Sequence, residues 1–399
     1  MINNKVIIIL GATKYDGIYE STSFTTAKYL AKSNTVFYVD FPYTWKDYFK
    51  TSEKVLVDKR KPYFKLKSDG LIDPGIENLN ILILPLLLPI NFIAEGRFYR
   101  NLLKINERLI SKRIQKLIRS RNLKDVVFIN SFNFHYPNIA DFIKPKLSVY
   151  HCVDPLIIDY DVKHGIYSQS IVVKKSDLVI CTSKELYREQ IKFNKNTFFI
   201  PNAADTAISS QALNPSLKVH PCIENIPKPI IGYFGNIERR IDYALMSDVI
   251  KDNPDKSFVF VGPVSEECIP KHFRDNRNVY FTGRLPYTDM PSVLKGFDIA
   301  MIPFKKDDVS RNIFPLKLFE YLGTGKPVIA TDFNLDLKDF TREAVLYCTN
   351  AEDFSSSITY YLENDDEESK QSRLSIAAEN TWDKRMDEFG NLLDKYYNL

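Results

Sequence analysis

Residues 310–332 read SRNIFPLKLFEYLGTGKPVIATD, and the organisation of the chain follows from how this stretch is parsed. Its middle is patterned as a short helix. Pro315 suits a first helical position, where an N–H would have no partner anyway. Leu316, Leu318, Phe319, Tyr321 and Leu322 supply a buried side, and Gly323 and Gly325 fit a left-handed stop. Pro327-Val328-Ile329-Ala330 then reads as a buried strand. Lys317 and Glu320 are three apart and share a helix face. An ammonium near a helix N-terminus favours a diphosphate, and a carboxylate one turn on can accept hydrogen bonds from a ribose diol. An ordinary surface lysine–glutamate pair has the same spacing.

Outward from this stretch, apolar runs alternate with helical patterns. In the first half the strands are 5–10 (KVIIIL), 35–40 (TVFYVD), 79–84, 125–130, 147–150 and 178–181. An amphipathic helix is expected over 99–120. In the second half the strands are 229–234 (PIIGYF, ending at Gly235), 257–261, 279–281, 297–303, 327–330 and 344–348. Strands alternating with helices predict doubly wound parallel sheets, and 399 residues are too many for one core. The polar, proline-bearing stretch 203–228 reads as a linker between two domains.

Composition narrows the class. A 44% hydrophobic and 26% charged chain with 14 glycines is globular, neither fibrous nor low-complexity. Five scattered cysteines without CxxC spacing read as reduced thiols with no metal site. The longest apolar run, ILILPLLLPI at 81–90, holds two prolines and is half the roughly 20 residues that a membrane helix needs. No secretory signal is read at the start, so a cytoplasmic protein is expected. The net charge of +4 hides an asymmetry: 31 basic against 20 acidic residues through 205, and 23 against 30 after it. Ten basic residues and one acid, Glu107, lie between Arg97 and Lys124. No nucleic-acid motif accompanies them. Following directly on the apolar 81–93 segment, they suit peripheral attachment to an anionic inner-leaflet surface; a solvated helix face is the plainer reading.

Strand 147–150 runs straight into His151-Cys152-Val153-Asp154. An imidazole and a carboxylate at the carboxyl end of a parallel strand stand where α/β sheets hold ligands. Either can take a proton from an attacking hydroxyl, and either can serve structure instead, as a helix cap or a fixed hydrogen bond. His135, after the preceding strand, is a further pocket candidate.

The 310–332 stretch resembles the nucleotide-sugar site of GT-B glycosyltransferases of the large group 1 (family 4) branch. That family's signature is a Glu, seven residues, a second Glu, then a small-Gly-Lys-Pro-Val strand entry. Glu320 falls on the second Glu, and Gly325-Lys326-Pro327-Val328 follows. Asn312 stands eight residues upstream, where the first Glu lies near the reacting sugar of retaining members. The Pro-Leu-Lys-Leu-Phe-Glu-Tyr-Leu wording is similar to a subgroup with xanthan-type glucuronosyltransferases, which invert. The resemblance implies two Rossmann-like domains facing a central cleft. These are an acceptor-binding domain at 1–202 and a nucleotide-sugar-binding domain at 229–375, with residues 376–399 as a helix crossing back to the first. It implies metal-independent transfer of a sugar from a UDP- or GDP-sugar to a hydroxyl of a lipid-linked or polysaccharide acceptor, without a further cofactor. The donor residues it implies are Gly17, Arg239, Arg240, Arg284, Asn312, Lys317, Leu318 and Glu320. In family 4 a His lines the acceptor pocket where His151 falls, and the subgroup's Asp base falls at Asp154. A nucleotide-sugar epimerase and a non-catalytic binding partner share the architecture and stay open. The missing GxGxxG argues against a dinucleotide oxidoreductase.

Overall fold

A computed structural model of the chain describes residues 2–17, 21–156 and 159–399. It divides into two compact units, Met1–Pro201 with Met386–Leu399, and Asn202–Arg385.

The first unit is built on eight strands: β1 (Val6–Gly11), β2 (Thr35–Val39), β3 (Leu71–Ile72), β4 (Leu79–Leu82), β5 (Val127–Ser131), β6 (Leu147–Cys152), β7 (Leu178–Cys181) and β8 (Thr197–Phe199). Their order is β3-β4-β2-β1-β5-β6-β7-β8. Only the β3–β4 pairing is antiparallel. A parallel strand is buried on both faces, and Ile7, Ile8, Ile9 and Leu10 are all fully buried, which is why β1 is a continuous apolar run. The chain steps from β1 to β2 on one side and reaches β5 on the other. The crevice where such sheets hold ligands therefore lies at the carboxyl ends of β1 and β5. Asn133 ties the two ends together, its Nδ2 donating to the Gly11 carbonyl at 2.9 Å.

The second unit has six parallel strands: β9 (Ile230–Phe234), β10 (Ser257–Val261), β11 (Val279–Gly283), β12 (Ile299–Ile302), β13 (Val328–Thr331) and β14 (Val345–Cys348). Their order is β11-β10-β9-β12-β13-β14, so the direction of winding reverses between β9 and β12. One hydrophobic core runs through this unit and takes in the apolar side of the helix Leu316–Leu322.

Several local expectations change. Pro315 is the extended residue before that helix (φ −77°, ψ 126°), and helical geometry starts at Leu316. Gly323 keeps a right-handed φ of −64°; Gly325, at +72°, alone supplies the left-handed stop. Residues 203–228 fold with the second unit, where Ile223 lies in the core and the His220 N–H donates to the Ser292 carbonyl at 3.1 Å. The expected closing helix is two, Glu367–Glu379 and Trp382–Tyr397, and only residues from Met386 on belong to the first unit.

The Arg97–Ser120 helix differs most from its pattern. Ile105 is exposed, while Glu107 and Arg113 are buried. Glu107 accepts from the Asn138 backbone at 2.8 Å. Arg113 donates to the carbonyls of Tyr63, Lys65 and Ser68, satisfying a stretch that has no ladder of its own. The basic run 97–124 is thus divided: Arg113 is turned into the unit, whereas Lys104, Arg108 and Lys112 face solvent. The apolar 81–84 segment is buried. No helix of the described residues is long and apolar enough to cross a membrane.

Candidate functional site

In the second unit the switch point between β9 and β12 is occupied by Lys317. Its Nζ donates to the Tyr233 hydroxyl at 2.6 Å, and that hydroxyl donates in turn to the Asn236 carbonyl at 2.9 Å. The ammonium also lies 4.1 Å from the Tyr233 ring centre and 5.0 Å from that of Phe304. Glycine makes this approach possible. A Cβ on Gly235, whose φ is +152°, would stand 2.5 Å from Lys317 Nζ. Gly262 is needed one layer beneath, because a Cβ there would meet the Gly235 carbonyl oxygen at 2.0 Å. Tyr321 locks the helix to the end of β9: its hydroxyl accepts from the Phe234 N–H at 2.8 Å and donates to the Phe234 carbonyl.

The electrostatics follow from burial and from the neighbouring charges. Burial, with the nearby Arg240 charge, lowers the Lys317 ammonium to about 7. Glu320 is buried and its carboxyl is raised by desolvation, against the pull of a hydrogen bond from Tyr287 and the charge of Lys317. Arg240 is half-buried, pairs with Glu238 and lies over the Phe304 ring at 5.9 Å. Arg239 is exposed, so of the two candidate arginines Arg240 is the one gathered to Lys317. Asn312 is buried; its Nδ2 donates to the Asp308 carbonyl at 2.7 Å and its Oδ1 has no hydrogen-bond partner among the described residues. Leu318 is wholly core, and its N–H donates to the Pro315 carbonyl at 3.2 Å. Arg284 is exposed just beyond Gly283, which takes a left-handed φ of +76°.

In the first unit Gly17 is exposed and its N–H closes a turn onto the Lys14 carbonyl at 3.1 Å. Its neighbour Asp16 is held by Arg60, a fully buried guanidinium that also binds Asp40 at the end of β2. His151 lies inside the sheet, 3.2 Å from Ser131 Oγ on the adjacent β5 and edge-on to Phe389. Desolvation lowers its imidazole to about 3, so it is neutral in ordinary buffers. Such a group positions its neighbours and is a poor proton acceptor. Asp154 is exposed, two residues past the end of β6. His135, past the end of β5, lies 3.2 Å from Asp161, and both side chains are partly exposed.

Sequence reasoning missed Tyr233, Phe304, Tyr287 and Asp161. Tyr233 had a signal, two residues before the loop glycine in PIIGYFG; the others are brought in by tertiary packing.

With this geometry in hand, comparison with known proteins is informative. Residues 239–391 match the family described as "Glycosyl transferase-like". The protein provisionally named as the teichuronic acid biosynthesis glycosyltransferase TuaH, from Bacillus subtilis (strain 168), is 26% identical over 223 residues. That match covers 53% of this chain and 55% of the relative, about half of each. Sucrose-phosphate synthase from Thermosynechococcus elongatus aligns over 99% of this chain and 100% of its own, with a TM-score of 0.67 at 12% identity. The Anabaena protein Alr3699/HepE, solved in complex with UDP, aligns over 98% and 100%, with a TM-score of 0.62 at 13% identity. The chain has the GT-B fold, and its residues 239–391 are similar to a glycosyl transferase-like family. At these identities the structural likenesses carry the fold alone. In GT-B terms, the Lys317 cluster belongs to the second Rossmann-like unit and the His135–Asp161 pair to the first. Among the described residues no group of three or more His, Cys, Asp and Glu side chains is placed to hold a metal ion.

Proposed function

We propose that the chain is a glycosyltransferase that moves a sugar from a nucleoside diphosphate sugar to a hydroxyl of a lipid-linked or polysaccharide acceptor in cell-surface glycan synthesis. The observation that carries the reading is the half-buried Lys317 at the β9/β12 switch point, held on the Tyr233 hydroxyl, backed by Arg240 and one turn from the buried Glu320. Departure of the diphosphate builds up negative charge. A cation already fixed and desolvated stabilises that charge without reorganisation, so Lys317 and Arg240 supply the charge stabilisation in this reading. Glu320 accepts from the ribose hydroxyls, and Asn312 Oδ1, a buried acceptor, takes a hydroxyl of the transferred sugar. The relative from Bacillus subtilis and the UDP-bound Anabaena neighbour lend support.

On the acceptor side Asp154 is the base, with His151 holding the strand end in place. His135 is a second reading for the base, favoured by its 3.2 Å contact with Asp161, which can orient the imidazole. Calorimetric titration with UDP and GDP, followed by product analysis with the matching labelled sugar nucleotides, tests the proposal. Saturable binding of one nucleotide and acceptor-dependent release of it are expected; binding of neither overturns the reading.

A further inference from the structure

The first unit carries an aromatic surface that its own packing leaves in solvent. We propose that residues 45–67 form an arm that docks the protein on an anionic lipid surface, with Trp45, Phe49 and Val55 entering the interface and the surrounding lysines meeting the headgroups. This stands apart from the transfer reaction, since it concerns where the chain sits.

Trp45 is 49% exposed, Phe49 76% and Val55 83%. These are not scattered apolar residues. The Tyr48 ring contacts Trp45 at 6.0 Å, Phe49 at 5.1 Å and the buried Phe64 at 6.3 Å, so a ladder of rings leads from the core to the surface. Lys61 stands over the same tyrosine at 5.3 Å. The helix Lys54–Arg60 buries only Val57 and Arg60, leaving Lys54, Val55 and Lys59 outward.

The charge of the arm is one-sided. Residues 44–67 hold eight basic and three acidic side chains, and each acid is engaged: Asp47 in the Thr44 cap, Glu53 with Lys14, Asp58 with Lys61. Lys46, Lys50, Lys54, Lys65 and Lys67 are exposed, and none makes an ion pair among the described residues. Exposed aromatic side chains amid lysines make up an interfacial element, because the rings suit the acyl boundary while lysine stems snorkel to the headgroups. A protein partner is a poorer fit, since lysine is depleted from protein–protein interfaces. The arm is also braced. Arg60 grips Asp16 and Asp40 beneath it, and Lys116 donates to the carbonyls of Leu66, Lys67 and Ser68.

The test is co-sedimentation of the full chain with phosphatidylcholine vesicles, with and without one-third phosphatidylglycerol. Binding to the anionic vesicles only, released at high salt, is expected. The W45S/F49S variant should bind at least about tenfold more weakly at an unchanged melting temperature. K50E and K54E should each cost about fivefold or more, and they keep the test valid should the aromatic variant unfold. The K104E/R108E/K112E variant of the long helix should retain most of the binding. The proposal is overturned by equal binding to neutral vesicles, by no binding, or by loss in the long-helix variant with retention in W45S/F49S. It is overturned equally if W45S/F49S turns a dimer into a monomer in sedimentation velocity, which would assign the patch to a second copy of the chain.

Discussion

Lys317 Nζ lies 2.6 Å from the Tyr233 hydroxyl, so helix Leu316–Leu322 delivers a cation to the end of β9 where an anion can meet it. Replacing Lys317 by Ala should weaken nucleotide diphosphate binding by about 1.5–3 kcal/mol, the range for a hydrogen bond to a charged group. Calorimetry with UDP and GDP checks this, with the fold intact by circular dichroism. Unchanged affinity would remove Lys317 from the site.

The same burial makes the site sensitive to pH. Free lysine titrates near 10.5 and Lys317 near 7, so between these values the unfolded chain binds the extra proton and stability rises with pH. Lys317→Met should therefore stabilise the protein most below pH 7, with the gain fading as pH rises toward 10.5. On the proposed function, a diphosphate bound beside Lys317 should restore its charge. Titrations at pH 8 in buffers of different ionisation enthalpy should show proton uptake, and at pH 6 nearly none.

Two glycines should separate function from stability. In Gly235→Ala the new methyl meets the flexible end of Lys317, which can retreat. Nucleotide affinity should fall about as far as in Lys317→Ala, and the φ of +152° adds a strain cost of about 1–3 kcal/mol, without the backbone clash met at Gly262. In Gly262→Ala the methyl meets backbone 2.0 Å away, at a φ of +145°. That strain should cost of the order of 3 kcal/mol in denaturant unfolding.

On the acceptor side the histidine inside the sheet and the carboxylate outside it should behave differently. Asp154→Asn should lower kcat by about a hundredfold or more if Asp154 is the base, with unfolding unchanged. Loss on His135→Asn, with Asp154→Asn active, would move the role to His135. His151→Phe should act on stability. The imidazole takes a proton near 6.5 in the unfolded chain and near 3 in the folded one, so it draws down stability as pH falls between them, by up to about 1.4 kcal/mol per unit. The variant should lose that part of the acid dependence.

Arg60 is fully buried between Asp16 and Asp40. Removing one partner of such a set leaves charge uncompensated in low dielectric. Arg60→Met should cost about 3–5 kcal/mol, read from urea unfolding, and Asp40→Asn combined with it should recover part of the loss.

The parallel sheets were legible because strands buried on both faces write continuous apolar runs, as in Val6–Gly11 and Ser257–Val261. The short β3 (Leu71–Ile72) was not, having two half-buried residues and no period. The long helix misled at Ile105 and Arg113, since a one-dimensional pattern cannot show that an irregular neighbour needs a guanidinium more than an aliphatic side chain. At the site, Lys317 and Glu320 could be picked out by spacing along one helix. Tyr233, Phe304 and Tyr287 could not, because three separate strand ends and loops bring them to that helix. The loop pair Arg239-Arg240 left two candidates that only burial distinguishes.

Met386–Leu399 belongs to the first unit, although the whole of Asn202–Arg385 intervenes. The Ile2 N–H donates to the Gly390 carbonyl at 3.2 Å, Tyr396 packs on Phe198, and Lys5 and Lys146 both lie over Tyr397. Domains generally form amino-terminus first as a ribosome delivers them; here the leading half must wait for its closing piece until the whole of Asn202–Arg385 has been made. A stop codon just before Met386 would spare the trailing half and leave the leading one open, exposing it to proteases.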